Sequence, residues 1–322
     1  MEEISFLYLF HLKEIRELLF RHFVTDTINV TMIIFRLVSK DLKTTFKTYL
    51  KSEFPHLYRP MKYQICQEAA SSCNVELLRL VRELGFRWNS NICTTAATNG
   101  NLEIIQFARE NGCKWDNYVC SNAALNGHLE IFKWAVRNGC DKDRRICQNA
   151  ALNGHLEILK LARNNKCHWN KRTCLGAASC GHLEVLKWAR ENGCEWDRST
   201  CSNAALGGHL EVLKWAHENG CPWDSWTCSY AAFNGHLEVL KWARTNGCEW
   251  DSNTCANAAF NGHLEVVKWA RTNGCEWDSN TCANAARNGH LEVLKWAHEN
   301  GCPCDNQVLT YITERFPNLI KS

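Results

Sequence analysis

Residues 234–251 read Asn-Gly-His-Leu-Glu-Val-Leu-Lys-Trp-Ala-Arg-Thr-Asn-Gly-Cys-Glu-Trp-Asp, and the chain repeats close variants of this stretch along most of its length. The Glu of the motif recurs every 27 residues, and an Ala-Ala pair precedes each copy. The nine copies of that Glu lie at 76, 103, 130, 157, 184, 211, 238, 265 and 292. Such a strict period indicates a stacked array of repeats rather than one globular core.

A single repeat is too small to fold by itself. Ordering its 27 residues costs roughly 40 kcal/mol, which matches the burial of roughly 1,600 Å² of apolar surface. One repeat carries two Trp, a few aliphatic residues and some Ala and Cys, so it cannot bury that much apolar surface alone. Stacking on neighbouring repeats supplies the missing contact surface.

Each repeat is predicted to contain two short antiparallel helices joined by a turn. The first covers Thr254 to Phe260 in one copy and ends at Asn261-Gly262, because Gly accepts the left-handed conformation after a helix. The second runs from His263 to about Thr272, and Asn273-Gly274 ends it. We expect its apolar face to contain Leu264, Val267, Trp269 and Ala270.

Charge and hydropathy argue against a nucleic-acid partner and against a membrane protein. Residues 1–64 hold 10 Lys or Arg and 7 Asp or Glu, whereas the remaining residues hold 27 of each. The array therefore has no net basic excess of the kind that nucleic-acid binders show. No run approaches the roughly 20 apolar residues that cross a bilayer. We expect a protein of the cytosol or nucleus, without a nucleic-acid or membrane partner.

The residues that could carry chemistry recur in register, which favours structural roles. Seventeen of the 20 Cys follow the period, and only Cys73, Cys180 and Cys304 do not. The recurring Cys are predicted to be buried thiols, the recurring Trp to pack in the core, and the recurring His and Glu to be structural. An active site is a single asymmetric constellation, so the sequence predicts no enzyme, metal site or cofactor. The seven recurring His lie at 128, 155, 182, 209, 236, 263 and 290.

These motifs resemble the ankyrin repeat. Asn-Gly-His-Leu-Glu-Val-Val-Lys at 261–268 is similar to the start of that family's second helix, and Thr-Cys-Ala-Asn-Ala-Ala at 254–259 to its first helix. The resemblance covers roughly 62–304 and implies an all-α solenoid of about nine helix-turn-helix repeats. It also implies a concave binding face, formed by the first helices and the connecting loops.

The repeat departs from the ankyrin pattern in length and composition. Its 27 residues compare with about 33 in ankyrin, and the missing residues fall where the family has a β-hairpin, so we expect a loop there. Trp stands at 134, 188, 215, 242, 269 and 296, where Leu is usual in the family. Such short, Trp-rich and Cys-rich repeats resemble the ankyrin proteins of large DNA viruses of amoebae.

Two smaller segments are predicted to flank the array, with residues 1–60 forming a helical module and 305–322 a C-terminal capping helix. The stretches Glu14 to Phe23 and Leu37 to Lys40 resemble parts of an F-box, although Lys13 stands where that family has Pro. The alternative for this module is an unrelated helical cap. The F-box resemblance implies a ligase-docking face of Ile15, Leu19, Phe20, Phe23, Leu37 and Val38.

Partner specificity is expected where the copies differ. By the ankyrin resemblance, the residue after Ala-Ala faces the groove, and it varies together with the tips of the loops, including Arg145, Arg172 and Arg198. Aromatic side chains are typical anchors of binding hot spots, and Leu206, Trp226, Tyr230, Phe233 and Phe260 are predicted to form one apolar patch. The predicted partner-binding residues are Thr98, Tyr118, Leu125, Leu152, Ser179, Leu206, Trp226, Tyr230, Phe233, Phe260 and Arg287.

Two functions fit these observations. The first is a non-catalytic interaction solenoid that binds a protein in its groove and is a substrate adaptor of a Skp1-cullin ubiquitin ligase through residues 1–60. The second is a plain scaffold, or a decoy for a host factor, in which residues 1–60 only cap the stack. Binding of Skp1 distinguishes the two functions.

Overall fold

The computed structural model describes residues 66–83, 87–306 and 308–310. Contacts divide the chain into two compact units, Met1–Val119 and Cys120–Ser322. The predicted module of residues 1–60 and most of the predicted cap at 305–322 lie outside the described residues; of the cap, Asn306 and residues 308–310 are helical.

All regular structure in the described residues is helical, which confirms the all-α prediction. A short helix at 66–71 precedes the numbered helices, which alternate as second and first helices of successive repeats. These are α1 Val75–Glu83, α2 Asn91–Asn99, α3 Leu102–Glu110, α4 Tyr118–Leu125, α5 Leu129–Arg137, α6 Arg145–Leu152, α7 Leu156–Asn164, α8 Lys171–Ser179, α9 Leu183–Glu191, α10 Arg198–Leu206, α11 Leu210–Glu218, α12 Ser225–Phe233, α13 Leu237–Thr245, α14 Ser252–Phe260, α15 Leu264–Thr272, α16 Ser279–Arg287 and α17 Leu291–Glu299.

The first helices begin earlier than predicted. Helix α14 starts at Ser252 rather than Thr254, because the Asp251 side chain accepts the N–H of Asn253 at 3.0 Å and caps the helix. Its other carboxylate oxygen accepts the hydroxyl of Ser225 at 3.2 Å, in the preceding repeat. The same double use recurs at Asp278, so the caps also join neighbouring repeats.

Small residues let the first helices of the second unit stack closely. Helix α14 packs against α12 and α16 and buries Thr254, Cys255, Ala256, Ala258 and Ala259. In the second helix α15, by contrast, Val266, Val267 and Ala270 are buried, whereas Leu264 and Trp269 are half-buried. Of the four residues predicted for the apolar face, Val267 and Ala270 are therefore buried, and Leu264 and Trp269 lie at its half-buried margin.

The recurring Cys lie in the interior, as predicted. All 17 that follow the period are buried, whereas Cys73 and Cys180 are exposed and Cys304 is half-buried. Burial raises the pKa of the Cys147 thiol to about 12, so it stays protonated at neutral pH. A neutral thiol is a small apolar side chain, which explains its use in a tightly packed position.

The recurring Trp are only half-buried, so the prediction of core packing holds for one face of each ring. The loop ring of Trp250 meets Trp269 edge to face at 5.8 Å, and both pack against buried Cys255, Ala270 and Cys275. The Arg244 guanidinium lies over the Trp250 ring at 4.2 Å and also donates to the Cys248 carbonyl at 2.6 Å. An Arg lies in the same way over five other loop Trp, whereas Trp223 stacks on the His217 ring at 3.7 Å, so each of these rings has one covered face.

Candidate functional site: the exposed aromatic patch

Among the described residues, three large hydrophobic side chains are exposed. They are Tyr118 at 44%, Trp226 at 49% and Phe260 at 41%. All 14 Trp of the chain are described, and Trp226 is the exposed one. The other 13 Trp are half-buried at second-helix and loop positions. Trp226 is instead the second residue of a first helix, where the neighbouring repeats have Ser199 and Asn253, so packing does not require a Trp there.

Four aromatic side chains of two adjacent repeats in the second unit form two contacting pairs. Trp226, Tyr230 and Phe233 lie on one stripe of α12, at spacings of four and three residues. The ring centroids of Trp226 and Tyr230 are 5.5 Å apart. The Phe233 ring stacks on Phe260 of α14, with centroids 5.8 Å apart and an angle of 23° between the planes. We call Trp226, Tyr230, Phe233 and Phe260 the aromatic patch.

Tyr230 occupies a position that joins repeats elsewhere in the second unit. At this position Asn257 donates to the Ser229 carbonyl at 3.5 Å, and Asn284 donates to the Ala256 carbonyl at 3.0 Å. A hydrogen bond of this kind stabilises a fold by about 0.5–1.5 kcal/mol. In the α12 repeat, Tyr230 stands in place of that Asn, and its half-buried ring packs against Trp226. This repeat therefore has an aromatic side chain where the α14 and α16 repeats have a hydrogen bond to the preceding repeat.

The other predicted partner-binding residues are less exposed, use their polar groups locally, or belong to a different unit or repeat; Leu206, predicted as part of the patch, ends the helix that packs against α12. The hydroxyl of Thr98 donates to the Thr94 carbonyl, and that of Ser179 donates to the carbonyls of Leu175 and Gly176. Three predicted Leu are half-buried and Arg287 is exposed. Tyr118 and Thr98 belong to the first unit. The half-buried leucines are Leu125, Leu152 and Leu206.

The recurring His have a structural place that the sequence did not specify. The His263 ring lies against Gly235, where an added Cβ would be 2.6 Å from its Nδ1. Its Nε2 lies 3.1 Å from the Phe233 carbonyl oxygen. A carbonyl can only accept, so Nε2 carries the proton in this contact. The same arrangement joins His236 to the Leu206 carbonyl at 3.1 Å, so each His connects two repeats.

Array stability should decrease as the pH falls below about 6.5, the usual pKa of His. Burial lowers the pKa of His182 and His263, and neighbouring His rings lower it further. Between pH 6.5 and these lower pKa values the unfolded chain binds protons that the folded chain does not. The stability is thus complete above about pH 6.5 and is lost progressively below it.

Urea unfolding at about pH 7.5 and pH 5.5 checks this expectation, since carboxylates titrate mainly below that window. The variant His182→Gln/His263→Gln should show a smaller decrease between the two pH values. An equal decrease in the variant and the parent would show that other groups cause the pH dependence.

The part of the chain that the structure describes contains no group of three or more His, Cys, Asp or Glu side chains that could hold a metal ion. The residues that the sequence reasoning missed are the capping Asp. Asp224 accepts the Trp226 N–H at 3.2 Å and thereby fixes the start of α12 beneath the patch. The signal was available, since an Asp directly before a helix is a frequent N-cap.

Comparisons with known protein families agree with the prediction of ankyrin-like repeats. A family model described as ankyrin repeats in three copies matches residues 120–200. A second model, described as ankyrin repeats in many copies, matches residues 201–244. A comparison with curated protein sequences finds no match. The second match includes α12 and therefore Trp226, Tyr230 and Phe233 of the aromatic patch.

Proposed function

Residues 120–244 are ankyrin repeats, a fold that supports protein–protein interaction, and we propose that this chain is a non-catalytic scaffold whose aromatic patch anchors a protein partner. The observation that supports this proposal is the exposure of Trp226 and Phe260, whose rings contact Tyr230 and Phe233. Aromatic side chains dominate binding hot spots because they bury a large area with few rotatable bonds.

The aromatic patch has the composition of a binding hot spot and is not a part of the hydrophobic core that folding has left exposed. Its four rings come from two adjacent repeats and touch each other in pairs at 5.5 and 5.8 Å. The buried positions of the same helices are filled by Ala, Cys, Ser and Thr, so the core is complete without the rings. A partner that covers the exposed parts of Trp226 and Phe260 would gain apolar burial that folding leaves unused.

The finer part of the proposal concerns residues 1–60, which lie outside the described residues. By their F-box resemblance we propose that Ile15, Leu19 and Phe23 help to dock Skp1, so that the repeats select a substrate for a cullin ubiquitin ligase. The alternative is a scaffold or host-factor decoy in which this module is a cap.

The proposal also includes the absence of catalytic activity and the location in the cell. Ankyrin repeats are typically non-catalytic, and no described helix has the length and apolar character needed to span a membrane. By the resemblance to the repeats of large DNA viruses, we propose that the protein acts in the cytosol or nucleus of the host cell.

The test is affinity capture from cytosolic lysate with the full chain and with the variant Leu19→Asp/Phe23→Asp, read by mass spectrometry. The adaptor proposal expects Skp1 and a cullin with the parent chain and their loss with the variant, while other partners remain. Purified Skp1 should bind the parent chain directly. Capture of the same proteins by both chains, without ligase components, would leave the scaffold function and reject the adaptor.

A further inference from the structure

Basic side chains are concentrated at one place on the first helices. Arg144 and Arg145 begin α6, Lys171 and Arg172 begin α8, and Arg198 begins α10. We call these five residues the basic edge. The corresponding first positions of α12, α14 and α16 are Ser225, Ser252 and Ser279.

The fold explains only part of the basic edge, because Lys171 and Arg198 pair with Asp197 and Asp224, the capping Asp of the following repeats. A helix N-terminus carries a partial positive charge, so Lys and Arg in its first turn are electrostatically unfavourable. The Ser residues of the later repeats avoid this repulsion, and Ser225 and Ser252 still join their repeat to the next capping Asp. Since an uncharged Ser makes the same link as Lys171 and Arg198, the link does not require a cation, and residues that break a local rule in this way are expected at functional sites.

The basic edge is exposed and incompletely neutralised. Lys171 Nζ lies 2.7 Å from Asp197 Oδ2, and the Lys171 side chain is 62% exposed. Arg198 Nη1 lies 3.3 Å from Asp224 Oδ2, with 71% of the Arg198 side chain exposed.

Asp143, which pairs with Arg145, is the third carboxylate. The five cations of the basic edge are thus accompanied by three Asp carboxylates. Each carboxylate also accepts a backbone N–H at the start of a helix, so it neutralises the cations less completely. Arg145 and Lys171 hold the pKa of Asp143 and Asp197 below the usual range, so these Asp remain charged near neutral pH.

The basic edge is directly continuous with the aromatic patch. Asp224 accepts Arg198 Nη1 on one oxygen and the Trp226 N–H on the other, at 3.3 and 3.2 Å. Helix α10 packs against α12, so the last cation of the edge and the first ring of the patch are neighbours. The surface therefore changes from basic to aromatic between two adjacent repeats.

We propose that the partner segment is acidic and apolar in succession: Asp or Glu side chains face the basic edge, and a neighbouring apolar or aromatic side chain enters the aromatic patch. This inference rests on the proposed function and adds the chemistry of the partner. Charge complementarity of this kind sets specificity and association rate.

A nucleic acid fits this surface less well than an acidic protein segment. A strand carries a phosphate at every nucleotide, so its charge would continue across the patch. There the helix starts offer Ser225, Ser252 and Ser279 instead of cations, beside the carboxylates of Asp251 and Asp278. A peptide whose acidic part ends before its apolar part avoids those carboxylates.

A phage-displayed library of random 16-residue peptides, selected on the full chain, tests the proposal. Peptides that bind Phe233→Ala/Phe260→Ala equally well are removed, so the remaining peptides depend on the patch. We expect these to combine an apolar or aromatic residue with flanking Asp and Glu, enriched over the input library. Binding of the selected peptides should also weaken as the salt concentration rises.

The variant Lys171→Gln/Arg172→Gln/Arg198→Gln should bind these peptides about 10-fold more weakly, as expected for the loss of three exposed charge pairs. It should fold normally, because it removes cations from helix N-termini, and because the Lys171–Asp197 and Arg198–Asp224 pairs that it loses are exposed and contribute little to stability. The matched control is Lys187→Gln/Lys214→Gln/Lys241→Gln, which removes equal charge from second helices and should bind as the parent does.

The outcomes separate this inference from the function on which it rests. Patch-dependent peptides without acidic enrichment, or unchanged binding by the Gln variant, would overturn the acidic partner and leave the patch function intact. A selection that yields no patch-dependent peptide would count against both. Tight binding of a 20-nucleotide single-stranded DNA that the Gln variant loses would replace the acidic protein partner with a nucleic acid.

Discussion

Replacement of Phe233 and Phe260 by Ala should abolish partner binding while the array stays folded. Two hot-spot rings contribute about 2 kcal/mol or more each to binding, so capture should fall by about 100-fold or more. The cost to folding should be about 1 kcal/mol per ring, because Phe260 is 41% exposed and Phe233 only half-buried. Urea unfolding and affinity capture from cytosolic lysate measure the two effects on the same samples.

Phe132→Ala is the matched control within the second unit. The Phe132 ring of α5 is fully buried, and truncation of such a ring costs about 3–5 kcal/mol. This variant should lose stability and, where it is still folded, should bind the partner normally. If the double variant instead unfolds as Phe132→Ala does, its rings belong to the core. If it folds and captures the same proteins, the partner binds elsewhere.

The fold could be predicted from this sequence because the nine copies of the repeat can be compared with each other position by position. The Asn-Gly steps at 261–262 and 273–274 gave the ends of α14 and α15 correctly, and Gly262 has the left-handed φ of +76° that the prediction requires. The helix starts were missed because the apolar pattern begins later than the hydrogen bonding. The capping carboxylate of Asp251 lies in the segment that the sequence predicted to be a connecting loop.

The Trp-Arg stacking was not predicted, although differences between copies carry a signal for it. Arg163 stacks on Trp169 at 4.1 Å, and the equivalent residues of the preceding copy are Val136 and Lys142, so both partners change together. A covarying pair six residues apart indicates contact across the loop. Spacing alone could not show that the ring has one open face, since that depends on how the next repeat stacks.

The candidate site was only partly accessible from sequence. Copies that differ at the residue after Ala-Ala drew attention to Phe233 and Phe260, and the structure stacks these two rings. The same rule selected Ser179 and Thr98, whose hydroxyls bond to their own helices. Variation between copies locates positions free from packing constraints, but it does not tell a binding side chain from a tolerated one.

Gly235→Ala should destabilise the second unit by about 2–5 kcal/mol, a large effect for the addition of one methyl group. Gly235 has a φ of +75°, and an Ala there costs roughly 1–2 kcal/mol through backbone strain. The added Cβ would also lie 2.6 Å from Nδ1 of His263 and 2.9 Å from its Cγ. Displacing that ring disrupts its contact with the Phe233 carbonyl, and overpacking costs about 1–3 kcal/mol more.

Gly289→Ala separates the strain from the collision, because Gly289 has the same position in its repeat and the same φ of +75°. No described atom lies within 4 Å of its added Cβ, so this variant should lose only about 1 kcal/mol. The additional variant His263→Ala should make Gly235→Ala behave like Gly289→Ala, as a double-mutant cycle in urea would show. Equal losses for Gly235→Ala and Gly289→Ala would mean that the His ring moves aside freely, and that the recurring Gly-His contact does not hold the repeats together.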